Sequence, residues 1–367
     1  MNQDIHYTDE TEYYVAFSHV SGIGPLTVEK LIAFFGSIKS AYNAPVEQLA
    51  QVFQGQALKN LIEFRSQESP YSILKSLLKK DIQVLTPDLP QYPSKLRNIA
   101  VKPLCLYIKG NISIVTDEDT PAIAVVGTRN CTPYGRYLTN LFASRLASAG
   151  MTIISGMAEG IDALAHEIAL KFKTRTLAIL GCGVEVIYPP VNTKLYNRIL
   201  SEGGAIMSEF PPDQKVVKGL FITRNRLVSA LSDGVLIIEG ASKSGTLITA
   251  GHACDQGRPV FLPPYNLTAT YGYTFSHLMQ EGGTFVFSPD DIFEQLNLKP
   301  PPLPPNTILD LSEEEIELMS LIRQEIANPD TIAEELKIPM TTILNRLLEL
   351  EIKGHIAKDA LGEYYIC

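Results

Sequence analysis

The sequence predicts an α/β protein built on an extended Rossmann-like, mostly parallel sheet with helices on both faces. Three observations support this class: short apolar runs recur along the middle of the chain, segments of helical length separate them, and glycines follow them. Strands of a parallel sheet are buried on both faces, so they are continuously apolar instead of alternating. The six predicted strands are 123–126, 151–154, 177–180, 205–208, 235–238 and 260–262.

Two smaller regions flank the predicted sheet domain, which covers residues 81–298. Residues 1–80 contain a Gly-Ile-Gly-Pro turn at Gly22 followed by an amphipathic run, which predicts a small helical domain of the helix-hairpin-helix or SAM-like kind. Prolines at 299–306 are too dense for a helix or sheet interior and predict an extended linker. Residues 307–367 then predict a winged-helix-like domain, with helices at 331–336 and 340–350 and a wing strand at 361–366.

Composition excludes several classes of protein. The chain has 367 residues and 45% hydrophobic content, enough to bury a large core. Its five cysteines are scattered and include no CxxC pair, so we expect neither a disulfide framework nor a zinc site. Residues 1–11 are polar and acidic, unlike a signal peptide, and no apolar stretch has the length of a membrane span. We therefore expect a cytoplasmic protein without membrane attachment.

The acidic charge of the chain is concentrated in its last domain. Residues 306–367 carry thirteen acidic and five basic residues, a balance of −8 within a total of −9. Such a segment is repelled by phosphate. We therefore expect the winged-helix-like domain to contact protein or to regulate the chain. Tight, salt-sensitive binding of duplex DNA by the isolated segment would contradict this hypothesis.

The segment after the first predicted parallel strand has the features of an anion site. The strand 123–126 stops at Gly127, Thr128 and Arg129 follow, and Thr132 opens an amphipathic helix. Gly127 would let the backbone approach a ligand, the amides at the helix start favour negative charge, and Arg129 is a bidentate phosphate donor. Ligands of parallel sheets bind beyond the carboxyl ends of the strands. The sequence therefore predicts phosphate binding at this edge.

A second group of cations and glycines follows later in the chain. The candidate residues are Lys218, Phe221, Arg224, Asn225, Arg226, Lys243, Ser244, Gly245 and Thr246. In a single-stranded nucleic-acid groove, cations and amides hold the backbone while a base stacks on a ring for on the order of 1–3 kcal/mol. The residues also fit structural roles, with Phe221 in the core and Arg224 or Arg226 in internal ion pairs.

Two nucleotide-binding fingerprints are not satisfied. Gly127 is followed by Thr-Arg-Asn, without the later glycines of a dinucleotide site. Gly240 and Gly245 have the spacing of a P-loop, but Thr246 and Leu247 stand where lysine and serine or threonine are required. We therefore expect no nucleotide cofactor.

Taken together, these motifs resemble the bacterial DNA-processing proteins of the DprA (Smf) family. The resemblance rests on Val126-Gly127-Thr128-Arg129, on the stretch 155–166, on Arg224-Asn225-Arg226 and on the stretch 243–250, in one order along most of the chain. It implies a non-enzymatic protein that binds single-stranded DNA without sequence preference, protects incoming transforming DNA and helps to load the RecA recombinase. It also implies a homodimer formed through the Rossmann-like domain.

The resemblance assigns roles to individual residues. It implies that Gly127, Thr128 and Arg129 bind phosphate, that Lys218 contacts the DNA backbone and that Phe221 stacks on a base. It further implies that four residues complete the groove, namely Lys243, Ser244, Gly245 and Thr246. For Arg224 and Arg226, contact with DNA and support of the loop are both open.

An enzyme that acts on nucleotides is the alternative. Nucleoside monophosphate phosphoribohydrolases have a related sheet and a glycine-rich motif, but Thr249 stands where their catalytic glutamate would be. A threonine cannot stabilise charge at a sugar carbon as a carboxylate does. Glu159, Asp162 and His166 could instead form an acid/base set, or they could brace a helix beside the sheet.

Overall fold

A computed structural model describes residues 5–241, 245–265, 272–299, 301, 312–324, 327–352, 355–358 and 362–366. Most of the predicted proline-rich linker, and with it the linker's conformation, lies outside these residues. No helix within these ranges is both long and apolar enough to cross a membrane.

The region before the sheet consists of short helices. They are α1 (Thr11–Ser18), α2 (Pro25–Phe35), α3 (Ile38–Asn43), α4 (Val46–Leu49), α5 (Gln56–Gln67) and α6 (Pro70–Lys79). Gly22, with φ of +87°, makes the turn between α1 and α2. The fully buried side chains of Phe17 and Leu31 share one core with Tyr107 of the sheet. The Ser18 hydroxyl lies 2.5 Å from the Tyr107 hydroxyl. The helical region therefore packs directly on the sheet, and its boundary near residue 80 stays a prediction.

The described strands of the central sheet confirm the predicted fold class. They are β1 (Gln83–Leu85), β2 (Leu106–Gly110), β3 (Ala122–Val126), β4 (Thr152–Ser155), β5 (Thr176–Ile179), β6 (Ala205–Ser208), β7 (Gly234–Ile237), β8 (Val260–Leu262) and β9 (Thr284–Phe285). The order across the sheet is β1-β2-β6-β5-β4-β3-β7-β8-β9. Strands β3 to β9 pair in parallel, whereas β2 is antiparallel to both β1 and β6. Each end of the six predicted strands lies within one residue of its prediction.

The direction of chain progression reverses at β3. From β3 the sheet grows through β4, β5 and β6 on one side, and then through β7, β8 and β9 on the other. The register pairs Val126 with Ile237, so the loops after β3 and β7 leave the sheet side by side. A crevice at such a reversal is where open parallel sheets bind their ligands.

Helices cover both faces of the sheet. They are α7 (Ser94–Arg97), α8 (Ser113–Thr116), α9 (Pro133–Ser148), α10 (Ile161–Lys171), α11 (Thr193–Ser201), α12 (Lys218–Ala230), α13 (Gly245–Asp255), α14 (Gly272–Gln280) and α15 (Pro289–Gln295). Successive side chains of a strand point to opposite faces. Ile123 and Val125 accordingly pack with α9 and α10, whereas Ala124 and Val126 pack with α12 and α13.

The last described segment is a winged-helix domain, as predicted. It consists of α16 (Glu313–Arg323), α17 (Pro329–Leu336), α18 (Met340–Ile352), β10 (Ile356–Lys358) and β11 (Tyr364–Ile366). The two strands pair antiparallel, with Ala357 opposite Tyr365. Its core cluster includes the fully buried Leu318, Ile332 and Leu347.

Candidate nucleic-acid interface

The loop after β3 is held by the start of α10 so that Arg129 faces solvent. The Ile161 amide donates to the Thr128 carbonyl at 3.2 Å. A Cβ on Gly127 would lie 2.5 Å from Cγ1 of Ile161. Gly160 has φ of +79°, and a Cβ there would lie 2.4 Å from the Thr128 carbonyl oxygen. Both glycines are therefore required by the packing of this loop, which leaves Arg129 exposed.

A carboxylate of the protein itself, that of Glu239, already lies at the start of α9. The buried Glu239 carboxylate accepts the Thr132 amide at 2.9 Å, the Thr132 hydroxyl, and the Tyr265 hydroxyl at 3.1 Å. A Cβ on Gly135 would lie 2.3 Å from this carboxylate. The sequence-based expectation that this helix start is open to a ligand's phosphate is thus corrected, because Glu239 occupies it.

Arg224 lies inside the protein and joins the ends of two strands. Its guanidinium donates to the Gly156 carbonyl at 2.9 Å and to the Ile179 carbonyl. A Cβ on Gly156 would lie 2.5 Å from an Arg224 nitrogen. Burial lowers the pKa of Arg224 to about 10, although attraction to Asp162 opposes this shift. Arg224 therefore stays charged at neutral pH and braces the strand ends.

Of its neighbours in the Arg-Asn-Arg segment, Arg226 is also buried, whereas Asn225 is half-buried. Arg226 Nη2 lies 2.6 Å from the Glu209 carboxylate, and both side chains are less than a tenth exposed. Asn225 donates to the Gly245 carbonyl at 3.2 Å and so links α12 to the start of α13. Of the two roles that the sequence left open for Arg224 and Arg226, the structure shows internal support. Contact of either arginine with DNA stays a prediction.

Lys218 and Phe221 form the exposed end of α12. Lys218 is the first helical residue and is exposed. The half-buried Phe221 ring rests on Gly181, where a Cβ would lie 2.7 Å from Cδ1 of the ring. The Tyr188 ring centroid is 5.5 Å away. A ring that is supported by the backbone and partly exposed can stack on a planar ligand.

The two exposed cations lack internal partners among the described residues. Neither Arg129 nor Lys218 forms an ion pair with a carboxylate in that part of the chain. A cation in the first turn of a helix, as Lys218 is, is disfavoured by the helix macrodipole. An external anion would compensate both charges.

The second glycine-rich segment is described only in part. Gly245 is exposed at the start of α13, whereas Thr246 is buried. Lys243 and Ser244 lie outside the described residues. Of the four candidate residues in this segment, Gly245 is the one that is both described and exposed.

A cavity beside Arg129 includes residues that sequence reasoning missed. It has a volume of about 470 Å³, and its lining includes Arg129, Asn130, Arg136, Glu159, Val191 and Asn192. Asn192 donates to the Met157 carbonyl at 2.9 Å, and Met157 has φ of +60° although it is not a glycine. Non-glycine residues in this conformation cluster at functional sites. Arg136 could have been found from its place one helical turn after Thr132; nothing in the sequence pattern signals Asn192.

The alternative acid/base set is not assembled. Asp162 is buried and accepts the amides of Gly156 at 3.1 Å and Ala158 at 3.4 Å. His166 is fully buried, and burial lowers its pKa to about 3, so its ring is neutral. Glu159 is exposed. Asp162 and His166 therefore support the loop after β4 and the packing of α10.

The fold and the site define a class of protein. It is an extended Rossmann-like protein whose carboxyl edge presents exposed cations and a partly exposed ring. The chain matches the family model of DNA recombination-mediator protein A over residues 83–297 and that of the DprA winged helix domain over 299–360. It belongs to the DNA recombination-mediator protein A family.

Individual relatives agree with this assignment. The chain is 35% identical to the protein Smf of Synechocystis sp. over 294 residues, which cover 79% of this chain and 74% of the relative. The X-ray structure of DprA from Streptococcus pneumoniae matches with a TM-score of 0.67 and 28% identity, over 77% of this chain and 97% of that one. DprA from Helicobacter pylori, described for its single-stranded DNA binding mode, matches with a TM-score of 0.52 and 34% identity, over 59% and 96%.

Proposed function

We propose that this protein binds single-stranded DNA without sequence preference, protects incoming transforming DNA and helps to load the RecA recombinase onto it. One observation carries the proposal: exposed Arg129 and Lys218, without ion-pair partners in the described residues, accompany the partly exposed Phe221 ring at one sheet edge. Cations hold phosphates, a ring accepts any base, and neither contact encodes sequence. The Helicobacter pylori relative supports the choice of ligand. The RecA partnership rests on the family resemblance.

The ring favours a single strand over a duplex. Bases of a duplex are already stacked on their neighbours, so a protein ring can stack only on a base that is unpaired or displaced. Phe221 is held against Gly181, which limits its reach. We therefore expect an unpaired base of the DNA strand to stack on the Phe221 ring.

A binding role also fits better than the enzymatic alternative. Thr249, at the position of the missing catalytic glutamate, is buried, and its hydroxyl donates to the Gly245 carbonyl at 3.0 Å. Asp162 and His166 are enclosed as described above. Release of free base from nucleoside monophosphates by the purified chain would contradict this part of the proposal.

The direct test is a fluorescence-anisotropy titration of labelled oligo-dT with the full chain at several salt concentrations. We expect binding that weakens as salt rises, with a logarithmic slope of about −0.7 per neutralised phosphate of a single strand. A duplex of equal length serves as the control and should bind more weakly. Absent or salt-insensitive binding of the single strand would reject the proposal.

We propose that the homodimer implied by the family resemblance forms at the β9 edge of the described sheet. Strand β9 is the last in the order of the described strands. Phe285 at its end and Phe287 just after it are 40% and 77% exposed, whereas Val286 between them is buried. The two ring centroids are 6.3 Å apart. Exposed aromatic residues at an unpaired strand edge are suited to a second copy of the chain.

Replacing Phe287 with aspartate is expected to weaken the dimer about tenfold or more, because an aromatic anchor is lost and a charge enters the contact. Light scattering after size-exclusion chromatography, over a range of protein concentrations, measures the effect. Tyr71→Asp is the matched control, because Tyr71 is also exposed but lies on α6. An unchanged dimer in Phe287→Asp would place the interface elsewhere.

We propose that the winged-helix domain contacts protein. Arg346, the arginine of α18, lies 2.5 Å from the Glu314 carboxylate, so it is engaged within the domain. Leu344 and Leu348, one turn apart on the same helix, are 41% and 53% exposed. An exposed apolar stripe on an acidic domain suits a protein surface better than a phosphate backbone. Deleting residues 306–367 should therefore leave duplex affinity unchanged; a marked loss would contradict the proposal.

A further inference from the structure

We propose that the bound single strand continues past Arg129 into the cavity beside it, where Arg136 holds a phosphate and Glu159 limits the affinity. This inference rests on the proposed function and extends it to residues that the family resemblance does not assign to DNA binding. The cavity is lined by the loops that follow β3 and β4, by the start of α9, and by Val191 and Asn192 in the segment between β5 and α11. Its lining combines two arginines, one carboxylate and one apolar side chain.

Arg136 has the properties of an anion-binding residue. It is exposed in the first turn of α9, where the helix macrodipole disfavours a cation. It forms no ion pair with a carboxylate of the described residues, and its guanidinium contacts Cys131 Sγ at 3.4 Å. The nearby Glu239 carboxylate is already engaged by Thr132 and Tyr265. That carboxylate keeps its charge and offsets part of the macrodipole, and a bound phosphate would give the exposed Arg136 guanidinium a charged hydrogen-bonding partner.

The cavity has the size and lining for one nucleotide unit. It is a surface depression open to solvent, and its volume of about 470 Å³ is comparable with that of small-ligand sites, on the order of 300–1,000 Å³. Arg129 and Arg136 supply two guanidinium groups, which are suited to bidentate contacts with phosphate. Val191, which is 70% exposed, supplies an apolar surface for a sugar or base.

Glu159 distinguishes this cavity from a uniformly basic groove. Its carboxylate is exposed and lies in the same cavity lining as the two arginines. Among the described residues it forms no ion pair with a lysine or arginine. A negative charge here repels a phosphate and so directs the phosphate toward the arginines. Removing the charge should raise affinity, an effect that a purely structural residue would not produce.

The test compares four variants, one of which is Arg129→Ala, with the wild-type full chain in oligo-dT titrations at several salt concentrations. Arg136→Ala should weaken binding about tenfold and reduce the magnitude of the logarithmic salt slope by about 0.7. Glu159→Gln should tighten binding about two- to fivefold. Lys171→Ala is the control, because it removes an exposed cation from the end of α10, at the opposite edge of the sheet.

The outcomes separate this inference from the proposed function. If wild type binds and Arg129→Ala does not, but Arg136→Ala behaves like Lys171→Ala, the inference is overturned and the proposed function stands. A Glu159→Gln variant that binds no more tightly than wild type overturns the role given to Glu159. If the wild-type chain does not bind the single strand, both the function and the inference are overturned.

Discussion

Replacing Arg129 with alanine is expected to weaken the binding of a single-stranded oligonucleotide about 10- to 100-fold, the effect of losing one charge-assisted hydrogen-bonding group. Arg129 is exposed at the carboxyl edge of the sheet, and Gly160 and Ile161 hold its loop from behind. Truncation of its side chain should therefore remove a phosphate contact without altering the fold. Anisotropy titration of labelled oligo-dT measures the change in affinity.

The salt dependence shows which kind of contact is lost. Removal of one phosphate contact should reduce the magnitude of the logarithmic salt slope by about 0.7. Lys218→Ala should act in the same direction, because Lys218 is another exposed cation of the proposed path. Lys171→Ala removes the same charge from the opposite edge and should leave the affinity within about twofold of wild type. An Arg129→Ala variant with wild-type affinity and slope would remove this edge from the DNA-binding surface.

The parallel strands were predictable because their burial leaves a direct mark on the sequence. Strands covered on both faces are continuously apolar, as at 123–126 and 205–208. Strands β1, β2 and β9 of the sheet were not predicted as strands. β1 has three residues, too few for a periodic pattern, and β2 pairs with β6, roughly 100 residues later in the chain. Such long-range antiparallel pairing has no local signal.

The location of the site was predictable, but the orientation of its arginines was not. The carboxyl ends of parallel strands meet at one edge, so the loops after β3 and β5 could be placed together from the sequence. Arg129 and Arg224 are both arginines of candidate motifs, yet Arg129 is exposed and Arg224 is buried. The difference depends on the carbonyls of Gly156 and Ile179, which only the folded sheet brings to Arg224.

The presence of Glu239 at the start of α9 also could not be predicted from the sequence. Thr132 and Glu239 are 107 positions apart, and their contact follows from the adjacency of β3 and β7. Gly135 makes room for that carboxylate. A helix start that resembles an open anion site in the sequence can therefore bind a carboxylate from a distant part of the chain. Arg129 and Lys218, in contrast, are exposed.

Replacing Arg224 with methionine is expected to lower the free energy of unfolding by about 3–5 kcal/mol, because it leaves two buried carbonyls without a donor and Asp162 without a compensating charge. Urea unfolding followed by circular dichroism measures the change. Arg224→Lys should also be strongly destabilising, since one ammonium group cannot reproduce the fork that joins Gly156 to Ile179.

Arg136→Ala is the matched control for stability, because it removes an exposed arginine from the same edge and should change the free energy of unfolding by at most about 0.5 kcal/mol. The contrast between the two arginines tests whether a side chain holds the edge together or meets the ligand. An Arg224→Met variant as stable as wild type, but with reduced affinity for the single strand, would show that Arg224 contacts DNA directly. A large loss of stability would instead show that Arg224 supports the edge of the sheet at which Arg129 and Lys218 lie.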